Sequence, residues 1–227
     1  MEKKVILKRK IKIAALLLLV LAIVLVYFLI KVILGIKVHN IFIKNNINLP
    51  DEYIIEKAGL KDYPSYFKNF SFSIENKLEK DIFIKKAKVK KSFFAVINID
   101  IEENKVLFFK ENDKKYVLEN GEETATIPYE ISTPRAVNYI PDTVYDNFVK
   151  KFSRLDDEIR NKISQIKYDP SEYDNSRFML YMVDGNYVYI TLTKFDSINY
   201  YNEIYPTLEN KKGILYLDSG NHFQEIK

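Results

Sequence analysis

Ile13 to Ile30 reads IAALLLLVLAIVLVYFLI, eighteen residues without a charge, a Gly or a Pro. As a helix at about 1.5 Å per residue it spans about 27 Å, close to the hydrocarbon thickness of a bilayer. Fourteen of these positions are Leu, Ile, Val or Phe. At roughly 0.3 to 0.6 kcal/mol each they favour insertion by about 4 to 8 kcal/mol. Lys31 interrupts the run, but near a helix end its stem can carry the ammonium to the headgroups. Val32 to Leu34 extend the apolar stretch to Gly35, so residues 13–35 are read as a transmembrane helix. A cleaved signal peptide needs a shorter apolar core and a small-x-small site after it, which Val32 to Val38 lacks. A soluble core helix would carry a polar face.

On the N-terminal side, residues 1–12 hold six basic side chains against Glu2. The whole chain has 35 Lys and Arg against 31 Asp and Glu, so the rest is close to neutral. A basic flank of this kind keeps its end in the cytoplasm, and a long following domain is translocated regardless of its own lysines. The expected topology is single-pass type II: a cytoplasmic tail and an extracytoplasmic bulk. Basicity confined to a short tail also argues against a nucleic-acid-binding domain.

On the C-terminal side, Ile36 to Ile43 alternates like a strand. Pro50, Asp51 and Glu52 suit the first turn of a helix that Gly59 would end. A second helix is expected over Ser73 to Lys80, with Ile74 and Leu78 on one face. Ala87 to Lys91 and Val96 to Glu102 read as strands, and Ile97, Ile99 and Ile101 share a side. The order is β-α-α-β-β.

Beyond residue 104, short strands are expected at Val106 to Phe109, Lys115 to Leu118 and Glu123 to Thr126, with Asn120-Gly121 as a turn. Asp142 to Ile166 is an amphipathic helix or a helix followed by a strand. Phe178 to Val183 and Tyr187 to Leu192 flank a hairpin turn at Asp184-Gly185. Ser197 to Leu208 is expected to be helical despite Pro206. Gly213 to Leu217 and Phe223 to Ile226 close the chain as strands.

Several strings in this order resemble the FtsQ/DivIB family of bacterial cell-division proteins. They are VHNIFI at Val38, IKKAKV at Ile84, VINIDIEE ending at Glu103, YVLENG at Tyr116, MVDGNYVYI at Met182 and GILYLDSG at Gly213. The resemblance implies an α+β chain: one N-terminal transmembrane helix, a POTRA domain over 36–104, and a mixed β domain with flanking helices over 105–227. Departures from the family pattern are Phe94 and Asp81, where Pro is common, and Glu119, where Asp is common.

Catalytic chemistry finds little to rest on. The chain has no Cys, which excludes thiolate nucleophiles, thiolate metal sites and a lipid-anchored N-terminal cysteine. His39 and His222 lie far apart in strand-like segments, with no H-E-x-x-H or His-x-His spacing. Asp156, Asp157 and Glu158 read as a charged solvent face paired with Arg160 or Lys162. No G-x-S-x-G, S-x-x-K or glycine-rich phosphate loop occurs. No enzyme activity, cofactor or metal is expected.

The remaining candidate is backbone, since an edge strand can accept a partner strand. The resemblance implies a septum-enriched division scaffold that binds FtsB/DivIC-like and FtsL-like membrane proteins, and through them the septal wall synthesis machinery. By position it puts the contact surface on Gly213 to Ser219 and Gly220 to Phe223, with Tyr216, Leu217, Ser219, Gly220 and Phe223 as partner-binding residues. The plain alternative is that Ile214 and Tyr216 are core-facing strand residues. The competing function is a membrane-tethered POTRA-type chaperone for exported polypeptides.

Overall fold

The computed structural model describes residues 2–209 and 211–226, with side chains from residue 12 onward. The basic side chains at positions 3 to 10 lie outside that description. Helix α1 (Glu2–Gly35) is continuous. From Lys12 to Gly35 it is long and apolar enough to cross a membrane, and none of that span is buried inside protein. Leu18 and Phe28, both 67% exposed, are typical of it. A helix apolar on every side has no water-facing surface, which is the pattern of a lipid-facing segment. Lys31 sits 5.5 Å from the centroid of the Tyr27 ring, one turn back.

The chain forms two compact units, Met1–Glu102 and Glu103–Lys227. After α1, the first contains β1 (Asn40–Lys44), α2 (Asp51–Lys57), α3 (Ser71–Leu78), β2 (Ile84–Ser92) and β3 (Val96–Glu103). The sheet order is β1-β3-β2, with β1 parallel to the central β3. Ile97, Ile99 and Ile101 are at most 2% exposed, as their alternation requires. β1 starts later than the alternation from Ile36 suggests. The Val38 N–H donates to Pro64 O (2.9 Å) and the Tyr66 N–H to Ile36 O (2.8 Å), so a neighbouring loop claims that backbone before the sheet can.

Pro50 is the extended residue before α2, Asp51 and Glu52 fill its first turn, and Gly59 follows it at φ 70. α3 begins two residues earlier than expected and buries Ile74 and Leu78. It also closes the outer edge of the sheet. Glu75 Oε1 accepts the Val89 N–H (2.7 Å) and Glu79 Oε1 the Ala87 N–H (3.0 Å), so carboxylates occupy donors that a strand would otherwise seek. Asp81 accepts from the Phe83 N–H and the Tyr53 hydroxyl and pairs with Lys57. It orders its turn by hydrogen bonding where the family pattern uses a ring. Phe94 has φ 60, which a proline cannot adopt, so the β2–β3 turn departs from the family pattern in backbone as well as residue.

The second unit is one sheet in the order β12-β11-β10-β9-β8-β7-β4-β5-β6 among the described residues. The strands are β4 (Val106–Lys110), β5 (Lys115–Leu118), β6 (Glu123–Thr124), β7 (Arg135–Ala136), β8 (Ile163–Tyr168), β9 (Arg177–Met182), β10 (Tyr187–Thr191), β11 (Gly213–Tyr216) and β12 (His222–Glu225). The Asp142 to Ile166 stretch resolves into α4 (Asp142–Phe152), α5 (Asp157–Arg160) and then β8. The break falls where Asp156 turns extended (φ −57, ψ 138). Of the carboxylates after it, Asp157 pairs with Arg160 and Glu158 with Lys162, as expected, and Asp157 also pairs with Lys105.

Ser197 to Leu208 is helical in short pieces. Tight 3-10 turns at Leu192–Tyr200 and Tyr205–Leu208 flank α6 (Tyr201–Ile204). Pro206 has no N–H to continue an α-helix there. Phe108, Phe148, Phe152, Phe178 and Phe195 are fully buried, and Phe148 stacks on Phe178 at 4.5 Å. This core positions β10, whose Val188 and Ile190 face it, and β10 positions the end of the sheet.

Candidate partner-binding edge

The end of the sheet is built from two short strands. β11 runs parallel to β10, and β12 returns antiparallel to β11, pairing Tyr216 with His222, Leu215 with Phe223 and Gly213 with Glu225. The turn between them carries Gly220 and Asn221 at φ 88 and φ 50. β12 therefore ends the sheet, while β11 is paired on both sides. The expected surface, Gly213 to Ser219 with Gly220 to Phe223, is thus divided: β12 covers the strand part, and the sheet ends on the strand that begins at His222.

The entry of β11 is held by a buried polar cluster. Asn186 Oδ1 accepts the Gly213 N–H (3.0 Å), and Asn186 Nδ2 donates to the Tyr201 hydroxyl (3.2 Å). That hydroxyl donates to Asp184 Oδ2 (2.8 Å). Burial, then the bond to Asp184, pushes the Tyr201 phenol well above its ordinary value. The Asp184-Gly185 turn thus forms the hairpin and also anchors the next strand. Gly213 has no room for a side chain: a Cβ there would lie 2.1 Å from Gln224 O. Only glycine lets β12 lie this close.

Alternation sorts the side chains. Leu215 and Leu217 are buried in the core, while Ile214 and Tyr216 are half-exposed on the opposite face. The pattern decides against one alternative reading and places one expected contact residue inside. Ile214 and Tyr216 are not core-facing, and Leu217 is, with 2% of its surface exposed, so its side chain supports the strand from within. Tyr216 stacks between Tyr189 (5.4 Å) and His222 (4.5 Å), and its hydroxyl donates to Gln224 Oε1 (3.0 Å). The Arg177 guanidinium lies 4.4 Å over Tyr189, and Tyr181 packs edge-on against Tyr187. Ser219 and Gly220 are exposed in the turn, and Phe223 is half-buried at the rim of the core.

Charge around this face is paired. Burial raises the Asp169 carboxyl, but Lys167 and Arg177 outweigh it and hold the group below its ordinary range. Burial and then Asp169 push the Tyr189 phenol up. The face is a neutral aromatic ladder ending on a single strand. Tyr189, Arg177, His222 and Gln224 were not legible as site residues, because strand order decides which tyrosines become neighbours. The available signal was tyrosine at alternate positions, Tyr187 and Tyr189.

Comparison with known proteins follows the same architecture. The profile for the FtsQ-type POTRA domain matches residues 36–104. The cell division protein DivIB of Bacillus subtilis (strain 168) is 32% identical over 199 residues, covering 84% of this chain and 74% of that protein. The chain belongs to the DivIB family of cell division proteins. The DivIB of Listeria monocytogenes is 26% identical over 195 residues, 83% of this chain and 72% of that protein. The solved major extracytoplasmic domain of DivIB from Geobacillus stearothermophilus matches at 23% identity with a TM-score of 0.38, over 48% of this chain and 96% of that one. Family membership assigns the chain a role in bacterial cell division, alongside other proteins of the division machinery.

Proposed function

We propose that this member of the DivIB family is a non-enzymatic, single-pass membrane scaffold of the division septum. Its basic tail (1–12) lies in the cytoplasm, its helix (13–35) spans the membrane, and its POTRA domain (36–104) and β domain (105–227) lie outside. The partners are FtsB/DivIC-like and FtsL-like membrane proteins, and a strand of the former adds to β12. The observation that carries this reading is a sheet ending on a four-residue strand paired on one side, beside the Tyr189–Tyr216–His222 stack. Backbone pairing supplies affinity in such additions, and pockets for alternate side chains supply specificity. Tyr216, Ser219, Gly220 and Phe223 form the contact surface, with Leu217 fixing the strand from the core side.

Strand geometry supplies a sharp test. The Ile226 N–H donates inward to Lys212 O (2.9 Å), so alternation turns the Phe223 and Glu225 N–H groups outward. Glu225→Pro removes one outward donor and leaves the inward pairing intact. Full-length protein carrying this change, or Tyr216→Lys, is expected to lose co-purification with a DivIC-like partner while keeping its circular dichroism spectrum. Full capture of the partner by both variants would move the interface elsewhere. Capture of assorted exported polypeptides in place of division proteins would favour a chaperone.

A further inference from the structure

The first unit carries an apolar surface that the partner-binding edge does not use. A groove of about 850 Å³ is lined by Ile36, Lys37, Phe67, Phe93 and Phe94, among others. Phe93 and Phe94 are each 90% exposed, Ile36 43% and Phe67 40%. Two fully presented phenylalanines at a turn forgo burial that a soluble surface would favour. The turn is also held open by its backbone. Phe94 and Ala95 both adopt left-handed conformations, φ 60 and φ 58, which non-glycine residues avoid. The His39 N–H donates to Ala95 O (2.9 Å), fixing the turn beside the start of β1.

The position of this groove says what covers it. Ile36 is the residue after α1, and the helix end is bonded directly into the groove wall. The Ser65 hydroxyl donates to Leu34 O (2.5 Å), and the Ile36 carbonyl accepts the Tyr66 N–H (2.8 Å). No spacer separates the apolar helix from the aromatic turn. The Lys91 ammonium is engaged inside, donating to Tyr66 O (2.5 Å) and Asn69 O (3.0 Å). Lys37 is exposed, and among the described residues no acidic side chain lines the groove. Exposed aromatics with a cation beside them, at the mouth of a membrane span, match the chemistry of an anionic bilayer interface.

We infer that the β2–β3 turn docks on the surface of the membrane that α1 crosses, with Phe93 and Phe94 inserted at the headgroup–acyl boundary. The inference rests on α1 spanning that membrane. Docking would restrain the first unit against the bilayer and so limit the directions in which the helix can hold it.

The chain contains no Trp, so a single substitution provides an isolated fluorophore. Full-length Phe94→Trp, Ile23→Trp and Tyr173→Trp proteins would be reconstituted in phosphatidylcholine–phosphatidylglycerol vesicles containing acyl-chain-brominated lipid. Tyr173 is 96% exposed in the second unit and reports water. Phe94→Trp is expected to emit blue-shifted light, quenched more by bromine near the headgroup than by bromine near the bilayer centre. Ile23→Trp should show the reverse preference. If Phe94→Trp behaves like Tyr173→Trp while Ile23→Trp is quenched, the docking is wrong and the anchor stands. A blue shift without bromine quenching means that protein covers the turn, which also overturns the inference. Absence of quenching at Ile23 removes the anchor and the docking together.

Discussion

Asn186 is the residue on which the sheet end turns, because one buried amide serves both β11 and Tyr201. Removing it leaves the Gly213 N–H without its acceptor in a buried site. Asn186→Ala is expected to cost about 1 to 3 kcal/mol in urea unfolding, whereas Tyr201→Phe, which removes a single hydroxyl, should cost about 0.5 to 1.5 kcal/mol. Equal effects would show that the amide has no special place. A second residue, Glu123, gives a pH prediction. Burial opposes its charge, but the Lys110 ammonium and the Tyr145 hydroxyl prevail and hold the carboxyl below its ordinary value of 4.5. Its folded form binds a proton less readily than its unfolded form. The stabilisation is therefore complete above pH 4.5 and lost as pH falls through the lower folded value. Glu123→Gln should flatten that acid limb in urea titrations by lowering the stability above pH 4.5 towards its acid value. Neither residue announced itself in the sequence: Asn186 reads as the tail of a hairpin turn, and Glu123 as the start of a short strand. Their roles come from partners 27 and 22 residues distant in the chain.

At the scale of elements, the two sheets treat their edges in opposite ways. β2 is closed by Glu75 of α3 and Glu79 just after it, which accept from the Val89 and Ala87 N–H groups. Among the described residues β12 has no such cover, and it is short and partly apolar, the condition in which an edge can take a partner strand. Its seat depends on Gly213. Gly213→Ala places a methyl group against the Gln224 backbone, so β12 must lift while the core beneath β10 keeps its packing. Hydrogen exchange at residues 222–226 is expected to accelerate, exchange in β8 and β9 to stay slow, and partner capture to weaken. Unchanged exchange in β12 would show that the strand tolerates the displacement. Glycine at 213 was visible in the sequence, but only the return of β12 across it makes the absence of a side chain matter.

For the whole molecule, the expected topology follows from the six basic residues of the tail, since the remainder is nearly neutral. Replacing Lys3, Lys4, Lys8, Arg9, Lys10 and Lys12 with Gln should allow a fraction of chains to insert inverted. Protease shaving of intact cells would then leave part of an N-terminal tag accessible and part of the β domain protected. Complete retention of the original protection pattern would show that the folded domains alone set orientation. The sequence by itself determined the membrane helix, the β-α-α-β-β order and the hairpins, because these depend on composition and on periods of two and 3.6 within a few residues. Tertiary structure alone decided that β12 covers β11, that Leu217 faces the core and Tyr216 the aromatic ladder, and that carboxylates seal the edge at β2. Strand order and burial arise from contacts between distant segments, and local pattern carries no record of which neighbour a strand will find. The sheet end became a candidate site only when those segments met.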